Sequence, residues 1–323
     1  MRICIFGAGA IGGLLGARLA MAGEDVTLIA RGAHLDAIRR DGLRLEAGGE
    51  THTVKVACSD AAAAGTQDFV IVTLKAHSAR DAARALQPLL GPETAVVWAV
   101  NGVPWWYFWS LDGPWRDRRL ETVDPGGVQW DVIGPERIIG CVVYPSAEIV
   151  EPGVVRHIEG DRFTLGEPND EKSARVERIA GAFIRAGFRA PVRRIRDEIW
   201  LKLWGNLSFN PISALTLATL DVVATDPGTR AVARAMMQEA RAIGEKLGVR
   251  FAVSIEQRIN GAAAVGAHRT SMLQDLEKGR PLEIDALVSA VQEMGRLTGV
   301  ATPTIEVVLA LIRQRARVGG VYD

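Results

Sequence analysis

Residues 2–12 read RICIFGAGAIG, an apolar, β-rich run that leads directly into a glycine-rich turn. A stretch of small residues with helical character follows and ends at Gly23. This strand–turn–helix context is what a G-x-G-x-x-G pattern needs before it indicates a dinucleotide-binding fold. Gly7 allows the tight turn, Gly9 lets a pyrophosphate approach the backbone, and Gly12 allows the helix to pack closely on the strand.

Backbone amides at the start of that helix are predicted to face the phosphates of the cofactor. The next strand, DVTLIA at 25–30, ends at Arg31. A site selective for NAD places an acidic residue here, whereas an arginine suits the 2′-phosphate of NADP. The sequence therefore predicts NADP(H), with a solvated surface arginine as the alternative. The predicted cofactor-binding residues in this part of the chain are Gly7, Ala8, Gly9, Ala10, Ile11, Gly12 and Arg31.

Two continuous apolar runs, DFVIVTL at 68–74 and TAVVWAV at 94–100, are typical of buried parallel strands. The first run ends in Lys75, and a helix is predicted to follow from about Ser78 to Leu90. The second run ends in Asn101-Gly102. Ligands of doubly wound sheets bind beyond the carboxyl ends of the strands, so Lys75 and Asn101 are candidates to meet cofactor or substrate. A solvated lysine and a plain Asn-Gly turn are the alternatives.

The rest of the first half predicts more strands and one helix. Residues 43–57 alternate around a glycine pair and indicate a β-hairpin, and residues 137–166 predict short strands that extend the sheet with antiparallel pairing. Residues 171–186 predict a helix, and strand patterns disappear beyond Pro191. The fold class is therefore α/β, with a Rossmann-type dinucleotide-binding domain at 1–190 and an all-helical domain at 191–323. In the second half the predicted helices are 227–248, with Asp226-Pro227 at its start, 253–264, 267–278, 281–298 and 303–316.

The helical half opens with RRIRDEIWLKLWGNLSFNP at 193–211, which is hydrophobic nearly all round and predicts a buried helix. Lys202, Asn206 and Asn210 are spaced four apart, so they project along one narrow stripe. Pro211 is expected to end this helix and restart the chain. The stripe is either a partly exposed surface or, as we favour, one wall of a small-molecule site with the lysine as charge and proton donor.

Composition excludes several classes of function. The 323 residues carry 38 basic and 38 acidic side chains, so no charge argument favours nucleic acid or a membrane surface. Three scattered cysteines lack metal-like spacing and favour a reduced, cytoplasmic setting. The N-terminus has neither the basic start nor the clean apolar run of a signal peptide.

An unusual aromatic segment, PWWYFW at 104–109, follows Asn101-Gly102. Its large apolar surface must be buried, and the sequence leaves three destinations open. They are a packed lid, an oligomer contact that would allow a homodimer, and a wall of the substrate pocket.

Taken together, these residues resemble the ketopantoate reductase (2-dehydropantoate 2-reductase) family over nearly the whole chain. The resemblance implies a Rossmann-type domain followed by a helical one, with the site in the cleft between them, and an enzyme of pantothenate biosynthesis. The motifs that carry it are Gly7-x-Gly9-x-x-Gly12, Lys75, Asn101-Gly102, Lys202-Leu-x-x-Asn206-x-x-x-Asn210-Pro211 and Ser271-Met-Leu-Gln-Asp275…Glu283-Ile-Asp285.

The resemblance also implies roles. Lys202 would donate a proton to the ketone oxygen while NADPH delivers hydride to the carbon. Asn206, Asn210 and Ser271 would hold the hydroxyl and carboxylate of the substrate. Asn101 would lie between cofactor and substrate.

Glu283 would complete the polar cluster beside cofactor and substrate. Two features depart from better-known members of the family: the tryptophan-rich segment, and His268 where an asparagine or similar small polar residue is expected. Both bear on the substrate, so reduction of another, bulkier 2-keto acid is the main alternative to 2-dehydropantoate. A non-catalytic NADP(H)-binding regulator is the alternative of a different class.

Overall fold

A computed structural model describes residues 1–322, which form two compact units. The main change of unit falls between Ile195 and Arg196, close to the boundary that the sequence predicts after residue 190. Two short segments of the first half, Gly102–Pro104 and Leu120–Pro125, belong to the second unit. The chain therefore passes between the units more than once.

The first unit is built on a seven-stranded sheet in the order β11-β8-β7-β6-β1-β2-β5. All neighbouring strands are parallel except the β8–β11 pair. This doubly wound arrangement confirms the predicted fold class. The strands of the protein are β1 (Arg2–Phe6), β2 (Asp25–Ile29), β3 (Leu43–Ala47), β4 (Glu50–Val54), β5 (Ala57–Ser59), β6 (Phe69–Val72), β7 (Ala95–Trp98), β8 (Ile138–Val143), β9 (Ser146–Glu151), β10 (Val154–Glu159) and β11 (Phe163–Gly166).

Burial explains why the central strands read as unbroken apolar runs. Every residue of β6 (FVIV) and of β7 (AVVW) is buried, as expected for strands covered on both faces. Strand β1 has β2 on one side and β6 on the other, so the strand order changes direction there. Such a switch point is where doubly wound sheets bind their ligands.

The predicted hairpin is present, with Gly48 and Gly49 at positive φ between β3 and β4. The strands predicted to extend the main sheet are split between two sheets, which corrects the sequence interpretation. Strands β8 and β11 do extend the main sheet, but β9 and β10 join the hairpin in a second sheet of order β4-β3-β10-β9. Val155 of β10 packs close to Gly13. A Cβ atom added to Gly13 would lie 2.7 Å from Cγ2 of Val155. Alternation along a strand does not reveal such long-range partners.

Proline shapes the helix predicted after Lys75. It begins as an α-helix at Ala76, earlier than the sequence predicts, and continues as a 3₁₀ segment over Ala83–Leu89 that contains Pro88. Proline cannot donate the hydrogen bond that an α-helix needs there. The helices of the first unit are α1 (Ala10–Met21), α2 (Gly32–Asp41), α3 (Ala61–Ala64), α4 (Ala76–Asp81), α5 (Val128–Ile133) and α6 (Ala174–Arg185).

The aromatic segment is part of the core of the first unit. The side chains of Trp105–Phe108 are at most 1% exposed. Trp105 meets Trp98 edge-on at 5.8 Å between ring centroids and Trp130 at 6.0 Å, and Trp109 meets Trp130 at 5.8 Å. These rings are already covered within the chain, so the interpretation of the segment as an oligomer contact is wrong for Trp105–Phe108.

The second unit is helical, and its described residues contain no strand. Helix α9 begins as predicted, with the Asp226 carboxylate accepting a hydrogen bond from the Thr229 amide at 2.9 Å. No helix formed by residues 1–322 is both long enough and apolar enough to cross a lipid bilayer. The helices that complete the chain are α7 (Ile195–Thr216), α8 (Leu220–Thr225), α9 (Pro227–Lys246), α10 (Ile255–Ala263), α11 (Ser271–Glu277), α12 (Ala290–Thr298) and α13 (Pro303–Val318), with a π-helical turn at Asp285–Ser289 directly before α12.

Pro211 does not end helix α7, which corrects the prediction that the chain restarts there. A proline inside a helix costs about 3 kcal/mol. The residues on both sides of it, Leu207, Phe209, Ile212 and Ala214, are 0–5% exposed. Burial of a large apolar side chain stabilises by about 1.5–3 kcal/mol. The buried surface around the proline therefore outweighs the one lost hydrogen bond.

Candidate active site

The predicted cofactor residues of the first unit follow the carboxyl ends of four adjacent parallel strands. The strands stand in the order β2, β1, β6 and β7. They are followed by Arg31, the glycine turn, Lys75 and Asn101 respectively. Parallel strands end at a common edge, so the fold brings these four positions to one side of the sheet.

Several hydrogen bonds fix the glycine turn. The amides of Gly7 and Ala8 both donate to the Ile29 carbonyl, at 3.2 and 2.9 Å, which ties the turn to β2. Thr73 follows the end of β6, and its hydroxyl donates a hydrogen bond to the Gly7 carbonyl at 2.7 Å. Gly7 itself has a φ of +110°, a backbone conformation that residues other than glycine rarely adopt. The turn is therefore held from both neighbouring strands.

The second and third glycines of the motif have opposite surroundings. A Cβ built on Gly9 has no heavy atom within 4 Å, so open space lies above the backbone there. A Cβ on Gly12 would overlap the Gly7 carbonyl oxygen and lie 2.5 Å from Thr73 Oγ1 and 2.9 Å from Ile5 Cγ2. Gly12 thus allows α1 to pack closely on the sheet, and the surface above Gly9 is left open.

Sequence reasoning missed Thr73. Its signal was available, because the residue stands at the carboxyl end of a buried strand two positions before Lys75. The same rule that selected Lys75 therefore applies to it. The side chain braces the turn that would contact the phosphates.

Beyond β2, Arg31 is exposed and stands at the N-cap of α2. One turn into that helix, His34 Nδ1 accepts a hydrogen bond from the Gly153 amide at 3.0 Å. Burial lowers the pKa of His34, so the imidazole is neutral and can act as this acceptor at neutral pH. Arg31 thus supplies positive charge next to a histidine that carries none.

In the second unit, helix α7 is buried on most sides, as predicted. Trp200, Leu203, Trp204 and Leu207 are 0–2% exposed. Within the polar stripe, Lys202 and Asn206 are partly exposed and Asn210 is 5% exposed. The stripe is therefore neither fully exposed to solvent nor fully buried.

Two of the predicted substrate residues are in contact. The Asn210 side-chain amide donates to the Ser271 hydroxyl at 3.3 Å. Ser271 is the first residue of α11, where Thr270 caps the helix by accepting from the Leu273 amide. One turn further on, Asp275 is 5% exposed and pairs with Arg280 at 3.0 Å. The segment around Ser271 and Asp275 is thus ordered, and it places the serine against the α7 stripe.

Glu283 is 7% exposed and immediately precedes the helical turns that lead into α12. Its carbonyl accepts a hydrogen bond from the Leu287 amide at 3.2 Å. A carboxylate at the start of a helix is stabilised by the helix dipole. Its position at a helix start agrees with the prediction, although the helix begins at Ile284 and not at residue 281.

The predicted site residues thus form two groups, one in each unit. Among residues 1–322, no cluster of three or more His, Cys, Asp or Glu side chains could hold a metal ion. The first unit holds Gly7, Ala8, Gly9, Ala10, Ile11, Gly12, Arg31, Lys75 and Asn101, and the second holds Lys202, Asn206, Asn210, Ser271 and Glu283.

The chain matches two family models and is similar to named relatives over its full length. Residues 3–105 match the family described as ketopantoate reductase PanE/ApbA, and residues 194–316 match its C-terminal domain. The 2-dehydropantoate 2-reductase of Mesorhizobium japonicum is 58% identical, over 100% of both chains. A crystal structure from Ralstonia solanacearum is 48% identical with a TM-score of 0.95, and covers 99% of both chains. The PanE/ApbA family ketopantoate reductase of Ralstonia eutropha is 28% identical with a TM-score of 0.84, covering 99% of this chain and 100% of that one.

Proposed function

The chain belongs to the ketopantoate reductase family and is an oxidoreductase acting on CH–OH groups, and from this premise we propose that it reduces 2-dehydropantoate to pantoate with NADPH. The observation that carries the proposal is the contact between Asn210 and Ser271, one turn along α7 from Asn206 and two turns from Lys202. It joins the two motifs of the second unit into one polar surface. A carbonyl substrate with a carboxylate and a hydroxyl group matches that surface.

Lys202 is the proposed proton donor. Reduction of a ketone builds negative charge on its oxygen, and a fixed ammonium group stabilises that charge before it transfers a proton. A free lysine has a pKa of about 10.4, so the ammonium form that a proton donor needs is the ordinary form of this side chain at neutral pH. The bound dinucleotide would supply the hydride.

Asn206, Asn210 and Ser271 are the proposed substrate-orienting residues. Each asparagine amide offers two donors and one acceptor oxygen, and the serine hydroxyl offers one donor and acceptor sites. The Asn210–Ser271 bond fixes the orientation of both side chains before substrate binds. A pre-oriented pair loses less entropy on binding than two free side chains would.

The first unit fits a nicotinamide dinucleotide. Gly9 leaves its backbone uncovered, and a pyrophosphate approaching that backbone would meet the free amides at the start of α1. We propose Lys75 and Asn101 as further cofactor-binding groups at the same edge of the sheet. Arg31 would bind the 2′-phosphate and thereby favour NADPH over NADH.

Replacing Arg31 with glutamine is expected to raise the KM for NADPH and leave the KM for NADH unchanged. A hydrogen bond to a charged group contributes about 1.5–3 kcal/mol, which corresponds to roughly a tenfold or larger increase. Steady-state kinetics with both cofactors measure this. Arg40→Gln is the matched control, because it removes a cation that pairs with Asp41 on the same helix. Equal increases in the KM for NADPH and for NADH would show that Arg31 does not bind the 2′-phosphate.

The proposed reaction is tested by oxidation of NADPH across a panel of 2-keto acids. We expect the highest kcat/KM with 2-dehydropantoate. Faster turnover of a bulkier 2-keto acid would keep the reaction class and change the substrate, as the departures at His268 and in the aromatic segment allow. Cofactor binding without turnover of any panel member would favour a regulatory protein.

A further inference from the structure

Two residues near the C-terminus bracket Glu283. The Leu282 amide donates to the Val321 carbonyl at 3.1 Å, on the N-terminal side of the glutamate. The Tyr322 hydroxyl donates to Asp285 Oδ1 at 2.7 Å, on the C-terminal side. The segment Val321–Tyr322 is therefore bonded to the chain one residue before Glu283 and two residues after it.

Asp285 is the centre of a small polar network. It accepts a second hydrogen bond from the Ser289 hydroxyl at 2.8 Å, and Arg313 donates to that hydroxyl at 2.9 Å. Asp285 and Ser289 are the first and last residues of the π-helical turn. Burial, together with the Asp285 carboxylate, raises the pKa of Tyr322, so its hydroxyl remains a donor at neutral pH. The network thus holds both ends of the turn.

The same turn is held at a further point within the second unit. The Val103 amide donates to the Ala286 carbonyl at 2.8 Å. Gly102, with φ of +91°, comes so close that a Cβ there would lie 2.5 Å from the same carbonyl oxygen. π-helical turns are rare and occur frequently at functional sites. This one begins two residues after the buried Glu283, whose carbonyl accepts a hydrogen bond from the Leu287 amide within the turn.

From this geometry we propose that Tyr322 is a positioning residue for Glu283, acting through Asp285 and the π-helical turn. The contacts of Val321 and Tyr322 fall on either side of one predicted site residue. The hydroxyl of Tyr322 does not contact the substrate in this proposal. Its role rests on the proposed reductase function, in which Glu283 would complete the polar cluster beside substrate and cofactor.

The kinetic test uses Tyr322→Phe, which removes the hydroxyl and keeps the ring. We expect kcat to fall about tenfold, because small displacements of a site residue are costly. In a Glu283→Gln background the same substitution should change kcat by less than about twofold, since the residue it positions has already been altered. A loss of equal size in both backgrounds, or no loss in the wild type, would overturn the proposal. Arg317→Gln is the control: its guanidinium lies 5.8 Å from the Tyr322 ring, and its removal leaves the hydroxyl bond intact.

Amide hydrogen exchange tests the anchoring independently of turnover. In Tyr322→Phe the amides of residues 282–289 should exchange about tenfold faster, while the central strands of the first unit keep their protection. Unchanged exchange at 282–289 would overturn the anchoring role. Should the wild type reduce none of the 2-keto acids, the proposed function fails, whereas exchange still decides whether Tyr322 holds the turn.

Discussion

Replacing Lys202 with alanine is expected to lower kcat by about 10²- to 10⁴-fold and to leave the Kd for NADPH near its wild-type value. The substitution removes the group that would stabilise charge on the ketone oxygen and donate the proton. Apart from Glu283, the proposed cofactor-binding residues belong to the first unit, so the loss should appear in kcat and not in dinucleotide affinity. Stopped-flow reduction and fluorescence titration with NADPH separate the two quantities.

Lys278→Ala is the matched control for that experiment. Lys278 is exposed at the C-terminal end of α11, and its removal takes the same charge from the same unit. Its kcat should stay within about twofold of wild type, because isolated surface charges contribute little. Turnover retained by Lys202→Ala would eliminate the lysine as the proton donor. Equal losses in both variants would trace the effect to the overall charge of the unit.

The two inner glycines of the turn should respond to alanine in opposite ways. Gly9→Ala adds a methyl group to open space at an ordinary φ of −72°, so stability should be unchanged. The methyl would occupy the approach path of the pyrophosphate. Overpacking of about 1–3 kcal/mol corresponds to a loss of about 5- to 150-fold in NADPH affinity. Isothermal titration measures the affinity and thermal unfolding the stability.

Gly12→Ala is the comparison variant, and there the loss should be in stability. Its methyl would overlap the Gly7 carbonyl oxygen and crowd Thr73, so α1 must move away from the sheet. We expect a destabilisation of about 1–3 kcal/mol or more, seen as a lower Tm. Normal NADPH affinity in Gly9→Ala would show that the cofactor does not approach the turn at that glycine.

The fold could be predicted where local pattern and tertiary packing agree. The apolar runs of β6 and β7 and the all-round hydrophobic helix α7 are buried as their sequences indicate. The second sheet was missed because β10 pairs with β3, more than a hundred residues earlier, and alternation carries no information about partners. The prediction that helix α7 ends at Pro211 was wrong for the opposite reason. The local chemistry of proline predicts a helix break, but the burial of the residues on both sides of it outweighs that preference.

Within the candidate site, single residues with a distinctive position could be predicted and their supports could not. Lys202 and Asn210 stand out because polar groups interrupt an apolar helix. Thr73 stands at a strand end and Asp285 within a motif, so both carry a signal in the sequence. Tyr322 matters through a contact with Asp285, which is distant in sequence, and nothing in its neighbours marks it. A supporting contact of this kind becomes visible only when the chain is folded.

The passage of the chain between the units limits how the protein can be dissected. The amides of Glu121 and Thr122 donate to the two carboxylate oxygens of Glu293 at 3.0 and 2.9 Å, and Val103 reaches the π-helical turn from another short segment. A fragment that starts at Arg196 would lack all three donors. Chimaeras that exchange the helical half between relatives must therefore exchange residues 102–104 and 120–125 with it. A single crossover near residue 195 would combine these two segments of one relative with the helical half of another.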